Sequence, residues 1–188
     1  NNNAANGGGG LLIMNGSKVN ITNCLIAKNH CNIRGGGLNV NYTSEATIVN
    51  STFADNTASS NGGNIARANE AQINATNCIF TGSNNTNIYW TGGTTAQSTI
   101  SYSNIEGGQV GTNIIWGAGN IDADPLFADA LNGDYSLQVG SPCIDTGTAT
   151  DAPSTDINEV SRPQGNGVDM GAYENCPIDL ESGLVAYY

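Results

Sequence analysis

A repeat of about 27 residues is the feature that most restricts how this chain can fold. Two kinds of anchor keep this period: glycine clusters that end at Gly10, Gly37 and Gly63, and the asparagines Asn23, Asn50 and Asn77. Residues 102–105 form a fourth, shorter copy. Two independent anchors with one period indicate stacked units, each of which buries its apolar face only against its neighbours.

The segments between the anchors alternate apolar and polar residues over short distances. Val19 and Ile21 flank Asn20, and similar apolar positions recur around Ile48 and Ile73. Short alternating runs that are rich in β-branched residues and separated by Gly, Asn, Ser and Thr are typical of strands and turns. Two or three such strands in a unit of about 26 residues predict one coil of an all-β, parallel β-helix.

Stacked coils place equivalent residues in columns, about 4.8 Å apart along the axis. The anchors Asn23, Asn50 and Asn77 should form an asparagine ladder, in which each side-chain amide bonds to the next. The following position should be a shared core column of Cys24, Ser51 and Cys78. Two coils separate the cysteines of this column by about 9.6 Å, which is too far for a disulfide.

The repeats resemble those of right-handed parallel β-helix surface proteins, among them the polymorphic outer-membrane adhesins. The resemblance rests on Gly-Gly pairs followed by Leu or Ile and on an F-x-x-N tetrapeptide at 53–56, and it covers residues 7–110. Ile26 and Ile105 stand where that pattern has Phe, and Ser83 stands where it has the closing Asn. The resemblance implies a right-handed, pectin-lyase-like solenoid in a secreted or cell-surface protein.

A second group of motifs begins at residue 121. IDADPLF (121–127), GDYSLQ (133–138), GSPCIDTG (140–147) and VDMGAYE (168–174) follow one another, in an order that resembles the conserved tail after β-helix repeats in many bacterial secreted proteins. That resemblance implies final coils and a C-terminal cap over residues 121–174, with the main coils in residues 1–120. Large apolar side chains such as Leu126, Phe127 and Tyr135 would cover the open end of the core.

Residues 175–188 differ again from the preceding segment. We interpret them as a linker, followed by Ser182–Tyr188, which resembles the opening strand of a laminin-G-like domain. The alternative is a terminal strand that pairs with this solenoid or with a neighbouring subunit.

The remaining cysteines give two further predictions. Cys143 and Cys176 both follow the repeats, and we favour a disulfide between them, which would stabilise the fold by about 3–4 kcal/mol in the chain-entropy model. Cys31 follows His30, the only histidine, but no second pair of ligands lies nearby in the sequence. We therefore interpret this pair as a turn with a free thiol.

Charge is distributed unevenly along the chain. Residues 1–121 hold four acidic and four basic residues, whereas residues 122–188 hold twelve acidic residues and one basic residue, Arg162. No basic patch is present, so nucleic acid and an anionic membrane surface are not expected as partners. No apolar run is long enough to suggest membrane insertion.

The acidic residues show no catalytic pattern. Glu45, Asp55 and Glu70 fall one to a coil and out of phase, which leaves no paired carboxylates on one face. A second acidic set consists of Asp122, Asp124 and Asp129, and it resembles a calcium loop only loosely because Pro125 interrupts the spacing. We predict no catalytic, cofactor or metal site, with Ca²⁺ at this second set as the alternative.

Two hypotheses about function follow. The first is a non-catalytic extracellular or cell-surface protein that acts as an adhesin, a spacer or a filament subunit, with end-to-end self-association through the open first coil. The second is a module that binds or cleaves polysaccharides, for which surface glycans would be the partners. The fold alone does not separate the two, because parallel β-helices also include polysaccharide lyases.

Overall fold

The computed structural model describes residues 1–90, 96–108 and 114–175 of the chain. Its strands, in chain order, are β1 (Asn3–Ala4), β2 (Leu11–Ile13), β3 (Lys18–Thr22), β4 (Leu25–Ala27), β5 (His30–Cys31), β6 (Leu38–Val40), β7 (Glu45–Val49), β8 (Thr52–Ala54), β9 (Thr57–Ala58), β10 (Ile65–Arg67), β11 (Gln72–Thr76), β12 (Ile79–Thr81), β13 (Ile88–Trp90), β14 (Ser98–Ser101), β15 (Asn104–Ile105), β16 (Ile114–Trp116), β17 (Phe127–Asp129) and β18 (Asp134–Leu137). A short 3-10 helix, Ala130–Asn132, lies between the last two strands.

Strands β1 to β16 form four parallel sheets. Sheet A has the order β1-β5-β9, sheet B has β2-β6-β10-β13, sheet C has β3-β7-β11-β14-β16 and sheet D has β4-β8-β12-β15. The chain makes about four turns of this solenoid. The prediction of an all-β parallel solenoid is therefore confirmed.

The sequence period is also the register of the sheets. Leu38 pairs with Leu11 on one side and with Ile65 on the other, which gives two steps of 27 residues. Later coils are shorter: Ile88 follows Ile65 in sheet B after 23 residues, and Ile114 follows Ser98 in sheet C after 16. The solenoid thus keeps a constant perimeter over three coils and then narrows.

Inward-facing side chains of successive coils pack into one continuous core. In sheet D the buried phenylalanines Phe53 and Phe80 stack in adjacent coils, with their ring centroids 5.4 Å apart. In sheet C, Ile21, Ile48 and Ile100 lie in one buried column. This burial of apolar surface, at about 25 cal/mol per Å², is what holds the coils together.

The corner between sheets B and A requires glycine. A Cβ atom on Gly36 would collide with the backbone oxygens of Thr57 and Gly63, because the neighbouring coil passes directly over it. In the register of sheet B, Gly10, Gly37 and Asn64 occupy equivalent positions in three successive coils. The third glycine cluster therefore ends one residue early. The structural step remains 27 residues, although the glycine spacing of the sequence is 26.

Residues 122–175, which we call the lateral segment, pack against the side of the solenoid. Its hairpin, β17-β18, is antiparallel. Leu137, Cys143 and Met170 form a second apolar cluster with Ile79, on the outer face of sheet D. Final coils and a cap over residues 121–174 stay a prediction, and the contact that the structure describes is this cluster on the outer face of sheet D.

One bridge continues the coils into this C-terminal region. Ile121 forms a parallel bridge to Asn104, which extends sheet D by one position. The predicted linker and laminin-G-like strand, residues 175–188, lie outside the described residues from Cys176 onward. Within the described ranges, no helix is both long enough and apolar enough to cross a bilayer.

Candidate functional site

The predicted ladder residues lie at one corner of the solenoid, between sheets C and D. Asn23, Asn50 and Asn77 all have left-handed backbone conformations, with φ of 50°, 45° and 54°. Asparagine tolerates this conformation better than most residues, which explains why the corner repeats it. The Asn77 side chain donates to Asn50 Oδ1 at 3.1 Å, as a ladder requires. Asn23 does not extend the ladder.

The main partner of this asparagine column is the lateral segment. Asn23 Nδ2 donates to the carbonyl of Thr155 at 2.6 Å, and Asn50 Nδ2 donates to the carbonyl of Asp169 at 3.0 Å. Asn77 donates to the carbonyl of Thr148 and accepts from its N–H, both at 2.8 Å. One asparagine from each of three coils therefore binds the same segment.

A second line of asparagines runs inside the solenoid. The closing Asn of the F-x-x-N motif, Asn56, accepts bonds from the backbone N–H and the side chain of Asn29, both at 3.0 Å. Its own amide donates to Asn64 at 2.8 Å, Asn64 donates to Asn87, and Asn87 donates to the carbonyl of Glu106 at 3.0 Å. This internal amide chain runs from Asn29, just before β5, to Glu106, just after β15.

The internal chain explains a departure from the repeat. Ser83 stands where the closing Asn of the third coil would be, and Asn64 stands where the earlier coils have glycine. An amide lost at one position is thus replaced by an amide at another, and the line of hydrogen bonds continues. The sequence signal was present, because Asn64 interrupts an otherwise regular glycine column.

The predicted column of Cys24, Ser51 and Cys78 lies at the same corner. The Ser51 hydroxyl accepts from the N–H of Cys24 at 3.1 Å, and Ser103 accepts from the N–H of Cys78 at 3.0 Å. Both cysteines are free thiols. Burial raises the pKa of Cys78 to about 12, so its thiol stays protonated and unreactive in the folded protein.

Cys31 and Cys143 form no disulfide with another described cysteine. Burial raises the pKa of Cys143 to about 11, and Asn104 Nδ2 donates to its sulfur at 3.3 Å. The other half of the predicted disulfide, Cys176, lies outside the described residues, so the pairing stays a prediction. Cys31 is buried, and the ring of His30 contacts Thr57 and Asn32.

A buried charged cluster holds the lateral segment together. Arg162 Nη1 and Glu174 Oε2 form an ion pair of 2.6 Å, with 1% and 0% of their side chains exposed. Asp156 accepts from the N–H of Glu174 at 2.9 Å, and Asp169 accepts from the N–H of Asp145 at 2.8 Å. Burial raises the pKa of Asp169 to about 6 and lowers the pKa of Arg162. These charged groups therefore bond within the lateral segment and stabilise its fold.

The acidic residues considered for calcium bond to turns. Asp122 accepts from the N–H of Gly107, Asp124 accepts from the N–H of Leu126, and Asp129 caps the 3-10 helix through Asn132. In the described part of the chain, no three His, Cys, Asp or Glu side chains are grouped so as to hold a metal ion.

A polar groove lies where the lateral segment meets the outer face of sheet C. Its floor is formed by Thr76, Ser101 and Tyr102, its wall by Thr148, Thr150 and Asp151, and its volume is about 320 Å³. The wall is fixed in place by the bonds between Asn77 and Thr148. Hydroxyl groups, one aromatic ring and one carboxylate in a shallow groove are chemically suited to a sugar. Sequence reasoning missed this site because its two sides are distant in the chain.

Comparison with known proteins adds no identification. A scan against protein-family models, a search of curated proteins and a search of solved structures each gave no match to this chain. The fold therefore rests on the strand pairing described above.

Proposed function

We propose that this chain is a non-catalytic structural part of an extracellular or cell-surface protein, in which it acts as a rigid spacer or adhesive wall. The observation that carries the proposal is the use of its polar side chains. The asparagine column, the internal amide chain and the buried charged cluster all bond within the fold. A solenoid built in this way presents a regular, stiff surface.

The extracellular setting is supported by the sequence resemblances. The Gly-Gly-Leu repeats resemble those of outer-membrane adhesins, and residues 121–174 resemble the tail of bacterial secreted β-helix proteins. Antibodies against the purified chain should label intact cells of its source organism. Labelling that requires permeabilised cells would contradict the extracellular assignment.

Absence of catalysis is tested separately. The purified chain should release neither reducing ends nor unsaturated products from pectins, alginates or glycosaminoglycans, with or without Ca²⁺. Turnover on any of these polymers would overturn the structural proposal, and it would then favour the second candidate function.

That second candidate is polysaccharide binding, and the polar groove is the observation that favours it. Tyr102 supplies a ring on which a sugar can stack, with Thr148, Thr150 and Asp151 as hydrogen-bonding partners. Glycan-array binding followed by calorimetry tests it. Tyr102→Ala should abolish binding, whereas Tyr42→Ala, at a tyrosine that is 50% exposed and does not line the groove, should leave it unchanged.

A further inference from the structure

Tyr102 occupies the fourth position of the asparagine column. It follows Ser101, which pairs with Thr76 in sheet C, and Asn77 follows Thr76 in the same way one coil earlier. Like the asparagines, Tyr102 has a left-handed backbone conformation, with φ of 47°. This conformation is rare for a bulky residue and is costly unless the surrounding structure imposes it. A tyrosine therefore stands where three coils have asparagine, and it lines the polar groove.

The ring of Tyr102 is positioned by a glycine in the turn after β16. A Cβ atom on Gly119 would collide with this ring, and Gly119 has a φ of 72°. The neighbouring carbonyl of Ala118 accepts from the N–H of Tyr102 at 2.8 Å. Glycine is the residue that tolerates both this backbone conformation and such a close approach. The aromatic wall of the groove is thus held from behind by residue 119.

The other groups of the groove are mainly hydroxyls. On the floor, Thr76 Oγ1 and Ser101 Oγ lie 3.5 Å apart. In the wall, the N–H of Thr150 donates to the hydroxyl of Thr148 at 3.2 Å, which fixes the turn. The volume of about 320 Å³ is at the lower end of the range for ligand pockets, about 300–1,000 Å³. The groove therefore suits a short segment of a sugar chain.

Asp151 supplies the charge of the groove. Among the described residues that line it, only Asp151 is charged. In the described ranges, the carboxylate of Asp151 has no hydrogen-bond or ion-pair partner, whereas Asp156 accepts from the N–H groups of Asn158 and Val160. The Asp151 carboxylate is therefore free to accept hydrogen bonds from a ligand.

The surrounding sequence adds little positive charge. Residues 122–188 contain twelve acidic residues and one basic residue, Arg162. Arg162 forms the buried ion pair with Glu174, and only 1% of its side chain is exposed. A groove whose own charge is negative repels an anionic ligand and offers no cationic partner to its carboxylate or sulfate groups.

From these observations we infer that the polar groove binds neutral or amino sugars and rejects sugars that carry carboxylate or sulfate groups. The Asp151 carboxylate accepts hydrogen bonds from sugar hydroxyl or ammonium groups, while the sugar ring stacks on Tyr102. The inference rests on the polysaccharide-binding candidate proposed above. It names the class of sugar, and it assigns Gly119 as the residue that positions the stacking ring.

Three oligosaccharides of equal length test the preference, because they share a β-1,4-linked glucose backbone and differ in charge. They are a cello-oligosaccharide, a glucosamine oligosaccharide and a glucuronate oligosaccharide, and calorimetry measures their binding. The neutral and amino compounds should bind about tenfold or more tightly than the glucuronate compound at low salt. Raising the salt to 1 M should reduce this difference, because charges are then screened over about 3 Å.

A charge reversal and a matched control locate the effect. Asp151→Lys should bind the glucuronate compound at least as tightly as the neutral one. Glu159→Lys makes the same charge change at an exposed residue that also has a left-handed conformation, with φ of 67°, and that does not line the groove. It should keep the wild-type preference. Tyr102→Asn restores the residue of the preceding coils and should bind none of the three, with circular dichroism as the check of folding.

Equal binding of the three compounds by the wild-type protein would overturn the inference and leave sugar binding itself intact. Absence of binding to all three would overturn the polysaccharide-binding candidate as well. A wild-type preference that persists in Asp151→Lys, or that is lost in Glu159→Lys, would also overturn the inference. If Asp151→Lys does not fold, the wild-type protein decides, because a preference that is unchanged in 1 M salt would show that charge is not its cause.

Discussion

Asn77 and Thr148 form a reciprocal pair, 71 residues apart in the chain. The asparagine amide donates to the threonine carbonyl and accepts from its N–H, both at 2.8 Å, as a neighbouring strand would do. The side chain of this corner residue thus provides the donor and the acceptor that the backbone of a neighbouring strand provides in a sheet. The pair links the solenoid to the lateral segment through two hydrogen bonds of one side chain.

Asn77→Ala should destabilise the protein by about 2–4 kcal/mol, because the backbone N–H and carbonyl of Thr148 lose their partners. Urea unfolding measures the loss. Asn20→Ala is the control: Asn20 is exposed on β3, and its removal should change stability by about 0.5 kcal/mol or less. Equal effects of the two substitutions would contradict a docking role for Asn77.

The internal amide chain predicts a rescue. Asn64→Gly restores the glycine of the earlier coils, but it removes the link between Asn56 and Asn87, and it should cost about 2–3 kcal/mol. Adding Ser83→Asn should recover part of this loss, because it returns the closing asparagine of the motif. A double-mutant cycle measures the coupling, and strictly additive effects would show that the two positions are independent.

The buried ion pair and the exposed ion pair should differ widely in effect. Arg162→Ala leaves Glu174 buried without its partner and should cost about 3–5 kcal/mol. Lys18→Ala removes an ion pair with Glu45 in which the lysine side chain is 80% exposed, and it should cost less than about 1 kcal/mol. Thermal or urea unfolding of both variants checks the comparison.

Stability should rise on moderate acidification because of Asp169. Its folded-state pKa is raised to about 6, above the ordinary aspartate value, so the folded protein binds the proton more tightly than the unfolded chain does. This contribution is fully present below the unfolded pKa of about 3.9 and is lost as the pH rises through about 6, to a limit of about 3 kcal/mol.

The measurement is the free energy of unfolding at pH 7.5 and near pH 5. Asp169→Asn should flatten the profile between about pH 4 and 6, whatever its effect on absolute stability. The assignment to this carboxyl group would be contradicted if the wild-type free energy of unfolding fell steadily as the pH is lowered through this window, with the same slope in Asp169→Asn.

Much of the fold could be predicted because two separate features of the sequence, the glycine clusters and the asparagines, repeat with the same period. The columns through Asn23, Asn50 and Asn77 follow from spacing alone, since parallel coils align equivalent residues. The actual partners of these asparagines could not be predicted, because the lateral segment approaches from far along the chain. Local pattern indicates which residues share a corner, but it does not indicate what packs against the outside of that corner.

The same limit applies to the lateral segment and the polar groove. Leu137 and Met170 are as apolar as a covering for the end of the core would require, but the structure shows them packed with Ile79 on the outer face of sheet D. The groove combines Tyr102 with Thr150, which share no spacing or motif. The internal amide chain was easier to predict from the sequence, because Asn64 replaces a glycine in an otherwise regular column.

The lateral segment also changes how the protein should come apart. A stack of coils joined only to their neighbours tends to melt gradually from its ends. Here the lateral segment is hydrogen-bonded to Asn23, Asn50 and Asn77 in three successive coils. No single coil can therefore fray without breaking a hydrogen bond to a segment that the other two coils still hold in place. The solenoid and the lateral segment should therefore unfold together, in a single all-or-none transition.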